Sequence, residues 1–468
     1  MNDIERARVL IIGFGVEGFA SYEYLRTVAP GLQLGVFDES KVEMDAASQE
    51  NTVKAREDTG TTWYEDVEAV NLSAYDIALK SPGIPPNHPL LVRARMAGLH
   101  VVTQMEILFE RVSTKRLIGV TGTKGKSTTS TLLAAILDAS GVPVSLIGNI
   151  GTPVIPSGLE AGSSTMRVIE MSSYQLSSLR KSPHISILLE IVPEHLNYHG
   201  SLDAYVEAKE NIVKFQEPDD FSIFNTDSPI SSIVGKRTSA MKLPISIEKP
   251  LAIGGFVDGE MLTVRTAPGD EWLINRSEVP LEELPGRFNL YNVLAAMLGA
   301  KLAGATVDGA RAALARFKAL PHRLQVVGDV HGIRFIDNSI ATVPSATIAA
   351  LETIGDNVQT LILGGFDRGV SYEALAKYII SETAVRNIAL LPENGTRIAP
   401  MLIAASSRHG RSVRVKCVES MRDAVQFAFE WSEEGSVCLL SPAAPSFGLF
   451  RDYRDRGDAF RDEALRAR

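Results

Sequence analysis

The stretch GVTGTKGKST, residues 119–128, joins the apolar run that begins at Leu117 to the helical pattern STTSTLLAAIL. Its spacing departs from the usual phosphate-binding loop, because Val120 stands where the first glycine of G-x-x-x-x-G-K-[ST] would be. Gly122 and Gly125 free the backbone, so amide N–H groups can face phosphate oxygens. The helix that opens there adds partial positive charge. A strand, a glycine-rich loop and a helix in this order predict a nucleotide-binding α/β domain.

Polar side chains in and near this loop predict a site for a triphosphate and a metal ion. Lys126 can reach the β and γ phosphates, and Ser127 can bring a hydroxyl to Mg²⁺. Glu170 stands at the end of the hydrophobic strand pattern in VIEMSS, where an acidic metal ligand beside such a loop usually lies. A solvated strand-end carboxylate is the alternative for Glu170, and the loop favours the metal ligand.

A second glycine-rich stretch, GFGVEG at residues 13–18, fits G-x-G-x-x-G and follows the strand pattern RVLIIG. Asp38 lies twenty residues beyond Gly18. In a dinucleotide enzyme such glycines let a pyrophosphate approach a helix N-terminus, and the acid holds a ribose hydroxyl. A tight turn in any doubly wound domain explains the motif equally well, and nothing downstream predicts a hydride-transfer site.

Length, charge and cysteine content exclude several classes of protein. The 468 residues favour about three domains. A net charge of -9 argues against nucleic-acid binding and against anionic membrane surfaces. Cys417 and Cys438 lack metal-site spacing and do not suggest a disulfide framework, which fits a reducing cytoplasm. No signal peptide or membrane-spanning run is recognisable, so we expect a cytoplasmic protein.

The order of strand and helix patterns predicts an α/β fold with parallel sheets. We expect three domains, at residues 1–112, 113–319 and 320–468. A polar joint at 111–116 separates the first two. Residues 232–280 lose the alternation and favour β-rich peripheral structure.

The order of TGTKGKST, a strand-end Glu, EHLNYHG and AKENI resembles the ATP-dependent Mur ligases, which build the peptide stem of the cell-wall precursor. The resemblance continues through LPGRFNLYNVLAA, LPHRLQ, FIDNSIAT, LILGGFDRG and LSPAAPSFGLFRDYRDRGDAF, and thus covers nearly the whole chain. The last three stretches most resemble the branch that adds glutamate to UDP-N-acetylmuramoyl-L-alanine. The resemblance implies a Rossmann-like UDP-binding domain, a central phosphate-loop ATPase domain and a Rossmann-like C-terminal domain that binds the amino acid.

The same resemblance implies small-molecule substrates, an acyl-phosphate intermediate, and two nucleotide sites. ATP would be bound by Gly122, Thr123, Lys124, Gly125, Lys126, Ser127, Thr128, Asn289, Arg323 and Asp337. The UDP-sugar would be bordered by Val16, Glu17, Ser81 and Asn149, so that GFGVEG holds a sugar nucleotide instead of NAD.

The catalytic residues implied by the resemblance are Lys126, Glu170, His195 and Lys209. One Mg²⁺ would be held by Ser127 and Glu170, and a second by His195 and a carbamylated Lys209. Carbamylation turns a cation into an anionic oxygen ligand, which suits Mg²⁺. It requires a neutral amine and hence a lysine with a lowered pKa. Without the resemblance, a lone lysine on a helix would be predicted to be a solvated surface residue.

The glutamate would be bound by Thr342, Arg368, Ser446 and Phe447. The chain departs from the usual D-glutamate-adding pattern around this pocket: Arg368 and Ile340 replace lysines, and the pair Asp337–Asn338 is reversed; Lys124 also replaces an asparagine in the phosphate loop. Arg368 can still clamp a carboxylate bidentately. Because most departures cluster at the amino acid, we expect L-glutamate as the substrate, with an epimerase acting downstream.

Four alternatives stay open at this point. The chain could use D-glutamate with an altered pocket, or could be a folylpolyglutamate-type ligase, although that family lacks a UDP-binding domain of this kind. An NAD-dependent oxidoreductase would rest on GFGVEG alone. A nucleotide-gated regulatory protein would not need the second metal site. We expect a monomer.

Overall fold

The computed structural model describes residues 4–39, 52–53, 55–150, 152–280, 287–318 and 321–466, the side chains of Leu196 and Asn197 excepted. The chain divides into two compact units. The first comprises Met1–Val279 and Arg287–Phe317, and the second comprises Pro280–Gly286 and Lys318–Arg468. Within the described ranges, the first unit carries two β-sheets and the second unit carries one.

The first sheet has five strands in the order β3-β2-β1-β4-β5, all parallel. Its elements are β1 (Val9–Ile12), α1 (Val16–Val28), β2 (Leu34–Phe37), β3 (Thr61–Tyr64), β4 (Ile77–Lys80), α2 (Pro89–Met96), β5 (His100–Val102) and α3 (Gln104–Arg111). All four residues of β1 are buried, as expected for a strand covered on both faces. The strand order reverses between β1 and β4, and such a switch point opens a crevice at the carboxyl ends of the strands.

The second sheet has nine strands in the order β14-β13-β12-β11-β10-β9-β6-β8-β7. Its strands are β6 (Leu117–Thr121), β7 (Val144–Gly148), β8 (Met166–Glu170), β9 (Ile185–Leu188), β10 (Phe221–Asn225), β11 (Met241–Ser246), β12 (Gly254–Asp258), β13 (Met261–Ala267) and β14 (Asp270–Asn275). The strands from β7 to β12 pair in parallel, whereas β13 and β14 pair antiparallel. The β-rich segment predicted at 232–280 therefore extends this sheet.

Helices lie between and after the strands of the second sheet along the chain. They are α4 (Lys126–Ala139), α5 (Ser157–Glu160), α6 (Ser173–Leu176), α7 (Leu196–His199), α8 (Leu202–Lys214), α9 (Pro229–Gly235), α10 (Asn289–Leu302) and α11 (Val307–Arg316). Helix α10 is apolar around most of its circumference and is buried along eleven of its fourteen positions, from Asn289 to Ala300. It therefore packs as a core helix.

The third sheet has six strands in the order β15-β16-β20-β17-β18-β19, with β15 antiparallel and the others parallel. Its elements are β15 (Gln325–Val330), β16 (Ile333–Asp337), α12 (Pro344–Ile354), β17 (Val358–Gly365), α13 (Glu373–Glu382), β18 (Asn387–Glu393), α14 (Gly395–His409), β19 (Arg414–Cys417), α15 (Met421–Trp431), β20 (Val437–Leu440) and α16 (Tyr453–Arg466).

The predicted α/β class with mostly parallel sheets is confirmed. The three sheets use strands within residues 9–102, 117–275 and 325–440. The domain limits predicted after residues 112 and 319 stay predictions. In the part of the chain that the structure describes, no helix is long and apolar enough to cross a bilayer.

Candidate functional site

The loop after β6 has the shape of a phosphate cradle. Gly125 has a left-handed φ of 85° and caps α4, which begins at Lys126. A Cβ at Gly125 would lie 2.2 Å from Asn292 Oδ1, and a Cβ at Gly122 would lie 2.8 Å from Leu189 Cβ. Both positions therefore require glycine. Lys126 Nζ donates hydrogen bonds to the carbonyl oxygens of Gly122 and Thr123 at 2.9 Å each, so its amine lies within the loop.

Thr123 ties the phosphate loop to the chain that follows β9. Its Oγ1 accepts a hydrogen bond from Val192 N at 3.0 Å and lies 2.9 Å from the hydroxyl of Tyr205. Its backbone N–H donates to Glu190 O at 2.6 Å. The loop is thus fixed against the segment that carries Glu194 and His195.

Glu170 ends β8 and is only 1% exposed. Its Oε1 accepts a hydrogen bond from Asn149 Nδ2 at 2.9 Å. Its Oε2 is buried and has no hydrogen-bond partner among the described residues. A buried carboxylate oxygen without a donor is costly, and an ion is one group that would satisfy it. The solvated alternative for Glu170 is therefore wrong, and its chemistry fits a cation ligand.

Lys209 lies on α8 with 1% of its surface exposed, so the interpretation as a solvated surface lysine is wrong. Its Nζ donates to Gly122 O at 2.9 Å and to Thr121 Oγ1 at 3.2 Å. Burial lowers the pKa of Lys209 well below its ordinary value, and the charge of Lys126 acts in the same direction. The negative charges of Glu194 and Glu170 oppose this shift. The site thus favours the neutral amine that carbamylation requires.

His195 has a left-handed φ of 55°, and its Nε2 lies 3.5 Å from Glu194 Oε2. Burial lowers the pKa of His195, and the charges of Lys126 and Lys209 lower it further, against the opposing charge of Glu194. The neutral imidazole, which is the form that binds metal ions, is favoured. Glu194 was not predicted as a site residue, although its position next to His195 in EHLNYHG is a signal that the sequence carries.

No group of three or more His, Cys, Asp or Glu side chains within the described ranges is placed to hold a metal ion. The predicted metal ligands are Ser127, Glu170, His195 and a carbamylated Lys209, and only Glu170 and His195 are of these four residue types. The predicted site therefore does not require a group of three such side chains, and Lys209 could serve as a ligand only after carbamylation.

The four predicted UDP-sugar residues, Val16, Glu17, Ser81 and Asn149, line one cleft of about 640 Å³ at the carboxyl ends of β1 and β4. Ser81 Oγ donates to Gly13 O at 2.7 Å, which holds the loop after β4 against the GFGVEG loop. Asn149 also binds Glu170, so the cleft wall is continuous with the predicted metal site.

Three residues of the central sheet's connections also line this cleft: Ser172, Tyr174 and Gln175. Gln175 Nε2 donates to Glu17 Oε1 at 2.7 Å. Burial is the main cause that raises the pKa of Glu17. These three residues were not predicted from the sequence, because the fold brings distant segments together at the cleft; Glu17 and Gln175, for example, are 158 positions apart.

In the second unit, the predicted amino-acid residues lie on loops at the carboxyl ends of β16, β17 and β20. The guanidinium carbon of Arg368 lies 6.0 Å from the ring centre of Phe447, and Ser446 is buried. Thr342 lies just before α12 and is half-buried.

Arg456, which was not predicted as a site residue, holds two of these loops together. It is 0% exposed and donates to Ser339 Oγ at 2.9 Å, to Ser339 O at 2.8 Å and to Ala444 O at 2.9 Å. The loops after β16 and β20 are therefore held by one guanidinium.

Two predicted ATP contacts are engaged in other hydrogen bonds. Asp337 is buried, with Oδ2 2.7 Å from His322 Nδ1 and Oδ1 accepting from Ser339 N at 2.8 Å. Asn289 Oδ1 accepts from Asn292 Nδ2 at 2.7 Å. The contacts with ATP predicted for Asn289, Arg323, Asp337, Lys124 and Thr128 stay predictions.

Residues 120–300 match the family described as Mur ligase middle domain, and residues 322–444 match the Mur ligase glutamate ligase domain. The chain is 34% identical over 459 residues to the UDP-N-acetylmuramoylalanine–D-glutamate ligase of Geobacillus kaustophilus, covering 97% of each chain. It is 30% identical over 461 residues to the protein of that name from Clostridium tetani, covering 98% of this chain and 96% of the relative.

Two solved structures share the fold across the chain. UDP-N-acetylmuramate-alanine ligase from Thermotoga maritima has a TM-score of 0.57 at 18% identity, with 99% of this chain and 100% of that chain covered. The MurF ligase from Thermotoga maritima in complex with ADP has a TM-score of 0.53 at 15% identity, with 100% of both chains covered.

Proposed function

Because the chain belongs to the Mur ligase family of ATP-dependent ligases in peptidoglycan synthesis, we propose that it joins UDP-N-acetylmuramoyl-L-alanine to glutamate through an acyl phosphate. The observation that carries the proposal is the buried Glu170, whose Oε2 lacks a partner among the described residues, beside a phosphate loop. Cation and triphosphate sites belong together in an enzyme that transfers a phosphoryl group.

The proposed reaction has two steps. The carboxylate of the alanyl residue attacks the γ-phosphorus of ATP, which forms an acyl phosphate and releases ADP. The amine of glutamate then attacks the acyl carbon, and phosphate leaves with the electrons of the C–O bond. In the first step two anions must meet, and Lys126, whose amine lies within the loop, offsets that repulsion.

Four side chains fit the proposed magnesium sites. Ser127 and Glu170 would hold one ion, and His195 with a carbamylated Lys209 would hold the second. When bound, Mg²⁺ supplies positive charge that stabilises the phosphate oxygens as they react. Glu170 Oε2, which has no hydrogen-bond partner in the described part of the chain, and the lowered pKa of His195 support this assignment.

Carbamylation of Lys209 would form a bond between Nζ and the carbon of CO₂, with loss of one proton from the amine. The lowered pKa of Lys209 supports the neutral nucleophile that this step needs. NMR with ¹³C-labelled bicarbonate would detect the carbamate carbon. A spectrum that is the same for the wild type and for Lys209→Met would contradict the modification.

The cleft at β1 and β4 suits the sugar nucleotide. Val16, Glu17 and Ser81 would border its diphosphate at the start of α1, where a helix N-terminus favours anions. Asn149 would reach it from the central sheet. Since the remaining motifs demand ATP and a carboxylate acceptor, the oxidoreductase interpretation of GFGVEG has no support beyond the motif itself.

The configuration of the glutamate has two candidates. The names of the relatives support D-glutamate. The substitutions around the amino-acid pocket motivate L-glutamate, with an epimerase downstream. Arg368, beside Phe447, would bind one carboxylate of the amino acid, and Thr342 with Ser446 would bind the other. Either enantiomer offers the same two carboxylates, so the choice depends on how these anchors are arranged.

Phosphate release tests the proposal directly. The assay would contain ATP, Mg²⁺ and UDP-N-acetylmuramoyl-L-alanine, with L-glutamate and D-glutamate in parallel. Phosphate release with D-glutamate alone would show that the substitutions in the pocket do not change which enantiomer is used. Release with L-glutamate alone would indicate that these substitutions reverse the preference from D-glutamate to L-glutamate. No release with either would contradict the proposed acceptor, and a folate-type acceptor would be tested next. The proposed activity belongs in the cytoplasm, and the monomeric state stays a prediction.

A further inference from the structure

Tyr198 lies on the segment that carries His195, and it contacts the wall of the cleft at the carboxyl ends of β1 and β4, here called the sugar-nucleotide cleft. Its hydroxyl lies 3.2 Å from Pro82 O and 3.3 Å from Ile84 O. A tyrosine hydroxyl has one proton, so it donates to these two carbonyls in a shared bond. Both carbonyls belong to the loop after β4, which lines the cleft from Ser81 to Pro85.

The ring of Tyr198 contacts the other side of the same cleft. It packs edge-on against Tyr174 with ring centres 4.2 Å apart, and Tyr174 itself lines the cleft. Tyr174 also lies 5.0 Å from the ring of His195 and stacks on His199 at 5.7 Å. His199 Nε2 lies 3.0 Å from Ser173 Oγ. One aromatic cluster therefore connects the cleft to the proposed metal ligand.

A backbone hydrogen bond also links Tyr198 directly to His195. Tyr198 N–H donates to His195 O at 3.0 Å across the first turn of α7. His195 has a left-handed φ, which a residue with a side chain adopts only when its surroundings hold it there. A fixed Tyr198 supplies such a hold. Burial raises the pKa of Tyr198 to about 12, so its hydroxyl stays protonated as a donor at neutral pH.

We propose that Tyr198 is a positioning residue that couples the sugar-nucleotide cleft to His195, by fastening the loop after β4 to the turn that presents the histidine. This inference rests on the proposed function and adds to it a coupling between two sites. Binding of the sugar nucleotide fixes the loop after β4, and the tyrosine transmits that order to His195. Because coupling between binding sites is reciprocal, a cation at His195 tightens binding of the sugar nucleotide by the same factor.

The test substitutes Tyr198→Phe, which keeps the ring and removes the donor. Tyr64→Phe is the matched control, because the hydroxyl of Tyr64 on β3 pairs with Tyr75 at 3.0 Å and is not part of the cleft lining. Calorimetric titration measures the affinity for UDP-N-acetylmuramoyl-L-alanine without ATP, in bicarbonate, with and without Mg²⁺. Thermal melting checks that each variant is folded.

We expect Mg²⁺ to tighten binding in the wild type and in Tyr64→Phe. We expect Tyr198→Phe to bind the sugar nucleotide roughly five-fold more weakly, as for one lost hydrogen bond. We also expect that Mg²⁺ no longer increases the affinity of this variant for the sugar nucleotide. In steady state its KM for the sugar nucleotide rises, and at low Mg²⁺ its kcat stays reduced even when that substrate saturates.

Two results overturn the inference alone. One is a weaker affinity in Tyr198→Phe with an unchanged gain from Mg²⁺, because the tyrosine would then only hold the loop. The other is a wild type that binds the sugar nucleotide equally with and without Mg²⁺. A wild type that neither binds this sugar nucleotide nor releases phosphate would instead remove the proposed function, and the inference with it.

Discussion

Replacement of Lys209 by methionine tests whether the amine beneath the phosphate loop is neutral. Two hydrogen bonds are lost, to Gly122 O at 2.9 Å and to Thr121 Oγ1 at 3.2 Å. Both oxygens keep a partner, because Gly122 O also accepts from Lys126 Nζ and Thr121 Oγ1 donates to Met171 O. Since neither is left unsatisfied, we expect the lost bonds to cost only about 1 kcal/mol in total, at the low end for two bonds.

The pH dependence of stability reports whether the amine of Lys209 is neutral in the folded chain. Burial lowers the pKa of Lys209 well below the ordinary 10.5. Between the lowered pKa and 10.5, the unfolded chain binds a proton at this amine that the folded chain does not. The free energy of unfolding of the wild type therefore rises with pH in this range, by up to about 1.4 kcal/mol per pH unit for one group. Lys209→Met lacks this contribution.

Urea titrations at pH 7, 8 and 9 would measure the difference between wild type and Lys209→Met. The buffers exclude CO₂, because a carbamate would remove the titrating amine. Lys214→Met is the matched control, since Lys214 lies on the same helix and is exposed. We expect the difference to move in favour of the wild type as pH rises, and the control to follow the wild type. A difference that does not change with pH for Lys209→Met would refute the neutral amine and the basis for its carbamylation.

Three further substitutions have expected outcomes. Gly125→Ala places a Cβ 2.2 Å from Asn292 Oδ1 in a left-handed conformation, so we expect a loss of at least about 1–2 kcal/mol of stability by denaturation, and unchanged stability would contradict the loop geometry. Glu170→Gln keeps an acceptor for Asn149, so we expect stability within about 1 kcal/mol of wild type but loss of phosphate release; full activity would remove Glu170 from the proposed metal site. Arg456→Met breaks three buried hydrogen bonds, so we expect a loss of at least about 2 kcal/mol, and a melting temperature equal to that of the wild type would contradict its role.

Sequence was most informative where the signal is local. The strand, loop and helix around GVTGTKGKST were predictable because the glycines, Lys126 and Ser127 are neighbours in the chain. The edge strands β3 and β19 were not predicted. They have four residues each and are only partly buried, so they carry little of the apolar run that marks a central strand.

Long-range contacts account for what the sequence left undecided in the site. Whether Glu170 is solvated or buried depends on the elements packed over the end of β8, which no spacing encodes. The same holds for Lys209, since its partners at residues 121 and 122 lie 88 and 87 positions away. Gln175 and Arg456 bind segments that lie 158 and 117 positions away. Their chemistry is visible in the sequence, but their placement is a property of the fold.

The two glycine-rich loops differ in the charges that the fold brings to them. Both place backbone amides at the start of a helix, which suits a phosphate in either case. At the loop before α4, Lys126 and Lys209 lie together with the buried Glu170, and the charges act on one another. At the loop before α1, the acidic side chains of Glu17, Asp38 and Glu39 line the cleft. Burial raises the pKa of Glu17, against the hydrogen bond from Gln175 and the charge of Lys80. A phosphoryl group in transfer needs cations for the charge that develops, whereas a diphosphate that is only held needs amides and a helix end. The charge around each loop therefore supports reaction at the first and recognition at the second.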